Sequence, residues 1–548
     1  MYRLGEYQTA QRERLKQMTD QRFFERMQHM DHTLWTDEPK DCADKLGWLW
    51  APTTRRVDLQ RIRDLTQKLL QEGITHVVLL GMGGSSLAPQ MFSSILGSTA
   101  GYLQFTLLDT TDPGAILDCA RSLELAQTVF VVSTKSGGTI ETLSLFKFFH
   151  GMYVRALGAT KAGEHFVAIT DSGKQLEKLA GELGLRDCFI NDPQVGGRYS
   201  ALTYFGLVPA GLIGVDLERL LEPAARLAVD PGPGLELGAA LGELALAGRD
   251  KLTLLLSPQL AALGDWLEQL IAESTGKHGQ GILPIIHEPI AAVDEYGSDR
   301  VFVRIGLAGD VPHQALCSSL VERGHPLISF RLHDVYQLGE QIMLWELATA
   351  ATCHVLGVNP FDQPDVESAK AVARELTAEY IRTESLESAD KALPPLLTDE
   401  AQISAVLSKF AQSCPQGGYL ALQAYVDPRP QTYAALNKLR GRLFAINPVA
   451  TTASFGPRYL HSTGQLHKGG PNNGVFVQII SRAELDVPIP DEPGGISSNV
   501  SFAVLKHAQA MGDCRALLKC GRHVLRIGLG PDPATQIERI AAAIGNDG

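Results

Sequence analysis

The stretch Val129-Phe-Val-Val-Ser-Thr-Lys-Ser-Gly-Gly-Thr-Ile-Glu-Thr142 decides how the chain is read. Four apolar residues, mostly β-branched, give way abruptly to hydroxyls, a lysine and two glycines. Ile140, Leu143, Leu145, Phe146 and Phe149 then recur at helical spacing. That order predicts a buried parallel strand, a tight loop and a helix. Ser133, Thr134, Ser136 and Thr139 offer donors, the glycines let backbone amides turn inward, and the helix start adds partial positive charge. These are the parts of an anion bowl. A Ser or Thr at a helix start is by itself an ordinary cap. The density of hydroxyls, lysine and glycine between Ser133 and Thr139 favours the anion site over the cap.

The totals narrow the classes. A chain of 548 residues is too long for one compact core and implies two or three domains. With 45 % hydrophobic and 20 % charged residues it has the composition of a soluble globular protein. A net charge of −12 argues against non-specific nucleic-acid binding, so positive potential for an anion must be local. The eight cysteines include no Cys-x-x-Cys pair and read as reduced, mostly buried thiols of a cytoplasmic protein. Cys514, Cys520 and His523 match no usual zinc spacing, and no metal site is expected. No run of 18 apolar residues and no secretory opening occurs, so no membrane association is expected.

In chain order, residues 1–45 are read as a helical N-terminal segment lying on the main body, with Leu15, Met18, Phe23, Phe24 and Met27 at helical spacing. Residues 46–228 are read as a first doubly wound parallel α/β domain, with strands at Thr75–Leu80, Gln104–Leu108, Val129–Val132 and Phe166–Thr170. The first strand runs into Gly81-Met-Gly-Gly-Ser-Ser86. Ser86 stands where a dinucleotide fingerprint needs its third glycine, so no nicotinamide cofactor is expected. What remains is a Gly/Ser turn at a strand's carboxyl end, where open α/β sheets hold ligands. Arg198 follows the fourth strand in Gly-Gly-Arg-Tyr-Ser200, a forked, permanent cation in a glycine loop.

A Pro/Gly linker (230–234) precedes a second α/β domain, residues 235–385, with strands at Leu252–Leu256, Leu283–Ile286, Val301–Ile305 and Leu327–Leu332. Gln269 and Glu273, four apart on one helix, share a face. Lys370 is placed at the start of the helix after Asn359-Pro-Phe-Asp-Gln-Pro364. Residues 400–548 are read as a further α/β segment packed with the second domain, with strands at Tyr419–Val426, Val475–Ile480 and His523–Gly528. Its glycine-rich loop 455–471 holds His461 and His467. Packing gives such a loop no reason to hold two histidines, which favours a functional reading.

This inventory suits aldose–ketose isomerisation of a phosphorylated sugar. A carboxylate moves a proton between adjacent carbons, a fixed cation stabilises the enediolate, and an acid/base pair opens the sugar ring. The motifs carry a resemblance as well. Ser-Thr-Lys-Ser-Gly-Gly-Thr-Ile-Glu-Thr142 resembles the phosphate signature of sugar isomerase domains. Gly-Gly-Arg-Tyr-Ser200, Glu-Ser-Thr-Gly-Lys277 and Asn-Pro-Phe-Asp-Gln-Pro-x-Val-Glu-x-x-Lys370 resemble the glucose-6-phosphate isomerase family.

The resemblance implies two sugar isomerase domains and no cofactor. It also implies that Ser85, Thr134, Ser136 and Thr139 hold the phosphate, with Gly84 and Lys135 giving backbone donors. Gly197 and Arg198 would face the enediolate, Gln269 would contact substrate and Glu273 would shuttle the proton. Lys370 and a histidine would open the ring. One departure concerns that histidine: the matching phrase Leu-His-Ser-Thr-Gly-Gln465 comes after the lysine, as in chains that fuse transaldolase to the isomerase. His461 is therefore the expected residue. Three readings stay open: a glucose 6-phosphate/fructose 6-phosphate isomerase, an isomerase of another hexose phosphate such as mannose 6-phosphate, and a non-catalytic sugar-phosphate sensor. A homodimer is open too, as are the roles of His467 and Lys468.

Overall fold

The computed structural model describes residues 1–53, 57–310, 313–386 and 390–544, the side chains at 368 and 369 excepted. Part of the polar stretch Thr383–Glu400 and the last four residues of the C-terminal segment lie outside the described residues. Three five-stranded sheets form the framework. The first runs, in spatial order, Gln104–Leu108, His76–Gly81, Thr128–Ser133, Phe166–Asp171 and Asp187–Asn191, all parallel. Its central strands are apolar on both faces because helices cover both. Val129 and Val131 enter one cluster with Leu79 and Ile169, while Phe130 and Val132 enter another with Leu80 and Ala168.

The fifth strand, Asp187–Asn191, is one the sequence reading lacks. It is a half-buried edge that begins with a charged residue, Asp187, paired with Arg61. The second sheet orders Tyr2–Arg3, Leu327–Leu332, Arg300–Leu307, Lys251–Leu256 and Leu283–Ile285. Tyr2–Arg3 pairs antiparallel with Leu327 and Ile328, so this sheet is not purely parallel as expected. The N-terminal segment is therefore a strand followed by the helices Gln8–Asp20 and Phe23–Gln28, not helix alone.

The third sheet orders Leu396–Leu397, His523–Leu529, Gly474–Ser481, Tyr419–Tyr425 and Ala450–Phe455. Ala450–Phe455 also escaped the sequence reading, since Thr451, Thr452 and Ser454 hide its apolar pattern. The C-terminal segment that carries this sheet packs against both others. Tyr419, Ala421 and Phe476 meet Ala272, Leu283 and Ile285, while Val487, Ile489, Phe502 and Leu505 join the apolar layer over the first sheet.

The helix Ala261–Thr275 lies where the three sheets converge and is buried almost all round. Asp265 and Glu268 face a cavity of about 580 Å3 with His287, Tyr433 and Arg458. Burial first, and then the Asp265 charge, push the Glu268 carboxyl up to about 7 against the pull of Arg458 and His287. A proton held in the folded chain but released near 4.5 when unfolded makes stability fall as pH rises from about 4.5 to about 7. Glu268→Gln is expected to remove that slope. Its gain over the parent in denaturant melts is nil near pH 4 and roughly 3 kcal/mol at pH 8; an equal effect at both would refute the assignment.

Candidate active site

The two glycine loops of the first sheet end on helices whose N-termini open into one cavity of about 310 Å3. Helix Gly84–Leu96 brings Gly84 and Ser85, and helix Ile140–Leu157 follows Thr139. Gly83 takes φ +57°, which a side chain would resist, and a Cβ there would press on Gln269 and His461. A Cβ on Gly84 would lie 2.0 Å from the carbonyl oxygen of Gly197. The phosphate loop and the Arg198 loop thus touch backbone to backbone, and only glycine allows it.

Within the Ser/Thr loop, Thr134 Oγ1 lies 2.8 Å from Thr139 Oγ1, and Ser136 Oγ lies 3.3 Å from Thr139 Oγ1. The hydroxyls form one cluster at a helix start, where an anion is stabilised by dipole and donors together. The Lys135 ammonium turns aside to pair with buried Asp171.

Arg198 is almost fully buried. Its guanidinium donates to the carbonyls of Pro360 (3.0 Å), Phe361 (3.3 Å) and Asp362 (3.0 Å) and to Gln363 Oε1 (2.8 Å). Its Nε lies 3.4 Å from Glu273 Oε2. The same carboxylate oxygen accepts from Gln269 Nε2 at 3.1 Å, and that amide also donates to the His461 carbonyl at 2.8 Å. Behind them Lys277 is pushed down to about 8, by burial first and then by the Arg198 charge.

Eleven of the twelve residues expected from the sequence line this cavity. The other, Thr134, is buried behind it on Thr139. Lys370 sits in the second turn of helix Pro364–Thr383, not at its start, because the helix already begins at Pro364. Its ammonium lies 3.1 Å from Glu367 Oε1. His461, from the 3-10 turn Arg458–His461, reaches the cavity within its own chain, with Nε2 3.0 Å from Glu141 Oε1. Burial raises the Glu141 carboxyl, yet the charge and hydrogen bond of His461, with Lys370 beyond, hold it below its usual value. Ser136, Thr139, Lys370 and His461 also line an adjoining lobe of about 540 Å3.

Sequence reasoning missed Glu141 and Gln363, although both stand in quoted motifs; nothing local says which residue they will touch. It also misread His467. That side chain is buried, its Nδ1 3.0 Å from the Tyr419 hydroxyl and its ring stacked on Tyr419, and burial pushes its pKa well down. The two histidines have different duties, and His467 has a packing reason. Lys468 is buried against Asp513 at 2.5 Å. Among the described residues no group of His, Cys, Asp and Glu could hold a metal, and Cys514 lies in an apolar cluster with Met511.

Residues 56–230 match the phosphoglucose isomerase family. A glucose-6-phosphate isomerase of Rubrobacter xylanophilus is 28 % identical over 387 residues, 60 % of this chain and 88 % of the relative. The enzyme so named from Limosilactobacillus reuteri is 26 % identical over 60 % of this chain and 85 % of its own. Among solved structures, a hypothetical protein of Thermus thermophilus superposes with a TM-score of 0.58 at 25 % identity, over 68 % of this chain and 99 % of that one. A glucose-6-phosphate isomerase of Chlamydia trachomatis shares the fold, with a TM-score of 0.55 at 19 % identity, over 67 % of this chain and 86 % of its own.

The backbone contact between Gly84 and Gly197 gives the two loops a shared test. Gly84→Ala is expected to leave a folded protein with KM for hexose phosphate raised at least about tenfold. An unchanged KM would mean that the loops move independently.

Proposed function

We propose that the chain interconverts glucose 6-phosphate and fructose 6-phosphate. The observation that carries this is the placement of the Glu273 carboxylate: it faces the cavity that the Ser/Thr loop opens into, touching Arg198 on one side and Gln269 on the other. Ser85, Ser136 and Thr139 line the cavity as phosphate donors, Thr134 backs them, and the amides of Gly84 and Lys135 assist. His461 and Lys370 open the ring by moving a proton between O1 and O5. Glu273 takes the C2 proton of the open aldose and returns it at C1. Arg198, unable to lose its charge, stabilises the enediolate between these steps, with Gly197 close by. Gln269 Oε1, buried without a donor from the described residues, accepts from a substrate hydroxyl. Nothing in this sequence of proton transfers calls for a cofactor.

The eight cysteines are all free, six of them buried, which supports a cytoplasmic setting. No helix among the described residues is long and apolar enough to cross a membrane. The position of His461 after Lys370 supports kinship with the isomerase half of the transaldolase fusions.

Glu273→Gln is expected to lower turnover about 10³-fold while substrate Kd changes little. Exchange of the C2 hydrogen with solvent should fall in parallel; full turnover in this variant would end the assignment. Glu273 and His461 are offered by one chain, so coexpressed Glu273→Gln and His461→Ala chains are expected to stay inactive together. Recovery toward about a quarter of parental activity would instead mean that neighbouring subunits of a homodimer exchange this histidine.

A further inference from the structure

Helix Phe502–Lys519 of the C-terminal segment carries a buried polar stripe. Lys506, Gln509 and Asp513, three and four apart, lie on one face, and none is more than 3 % exposed. Polar groups so buried persist only with partners, and each of these reaches a different segment around His461. Lys506 Nζ lies 2.7 Å from Asp112 Oδ2 in the first sheet's loops. Asp513 accepts from the Tyr459 hydroxyl at 2.7 Å and pairs with Lys468 at 2.5 Å, on either side of His461 in sequence. Between them Gln509 Nε2 donates to Glu141 Oε1 at 2.8 Å, the oxygen that stands 3.0 Å from His461 Nε2. The ionised Glu141 carboxylate can only accept, so the amide's NH2 must face Glu141, and the Thr111 hydroxyl then donates to Gln509 Oε1 at 2.9 Å.

We propose that Gln509 is a positioning residue for His461, acting through Glu141. Anchored by the Gln509 amide, the Glu141 oxygen stays an acceptor at a fixed point. It therefore requires a proton on His461 Nε2, which fixes the ring's orientation and leaves Nδ1 to exchange the proton in ring opening. The C-terminal sheet thus supplies the histidine and, on a separate helix, the part that aims it. The proposal rests on the isomerase reading above for its assay.

A double-mutant cycle on glucose 6-phosphate turnover tests it. Gln509→Leu is expected to lower kcat about tenfold with KM within about twofold. In a His461→Ala background the same change should have no further effect, because the residue it acts through is gone. Thr111→Val, which frees the amide without cutting it, should give a smaller loss of the same kind and serves if Gln509→Leu does not fold. Multiplicative losses in the double variant, or a variant as fast as the parent, would overturn the proposal. The ring-opening role is judged separately with a 4,5-dideoxy aldose 6-phosphate, which has no hydroxyl to close a ring. If His461→Ala loses equally on this substrate and on glucose 6-phosphate, the ring-opening role fails, whereas the cycle still reports whether Gln509 acts through His461.

Discussion

A buried guanidinium must be surrounded by acceptors, and the acceptors chosen by Arg198 tie the site together. Three consecutive carbonyls, the Gln363 amide and Glu273 all converge on it. They come from the segment before helix Pro364–Thr383 and from helix Ala261–Thr275, while Arg198 itself leaves the first sheet. Removing such a cation from water is costly, and leaving its acceptors without it would be costlier still. The charge therefore fixes the distance between two sheets and, with it, the distance between the phosphate loop and Glu273. Gly84 and Gly197 extend the same constraint to backbone contact.

Much of this was legible because the signals are local. A continuous apolar run such as Val129–Val132 can only be a strand covered on both faces, and the hydroxyls after it can only lie at its carboxyl end. The elements that escaped are those whose burial is set by distant partners. Asp187–Asn191 reads as polar because its charge is neutralised by Arg61, far back in the chain. Ala450–Phe455 reads as a polar turn because Thr451 is satisfied by Glu288 and Arg440.

The site shows the same division. Residue types within each motif were readable, but not which motif would meet which. His461 and His467, six apart in one glycine-rich loop, were indistinguishable by sequence. One turns to a carboxylate beside the cavity, the other to a tyrosine in the core. Lys506, Gln509 and Asp513 did leave a trace, three polar residues on one face of a helix whose other sides include Leu505, Ala508, Met511 and Cys514. A solvated face has the same pattern, and only their burial separates the two.

The placement of that stripe also orders the birth of the molecule. A chain emerging from the ribosome folds its early domains first. The hydroxyl loop, Arg198 and Glu273 belong to the first two sheets, whereas the carboxylate that steadies Tyr459 and Lys468 lies at residue 513. The hydroxyl loop, Arg198 and Glu273 are therefore all synthesised well before the carboxylate that braces the two sides of His461.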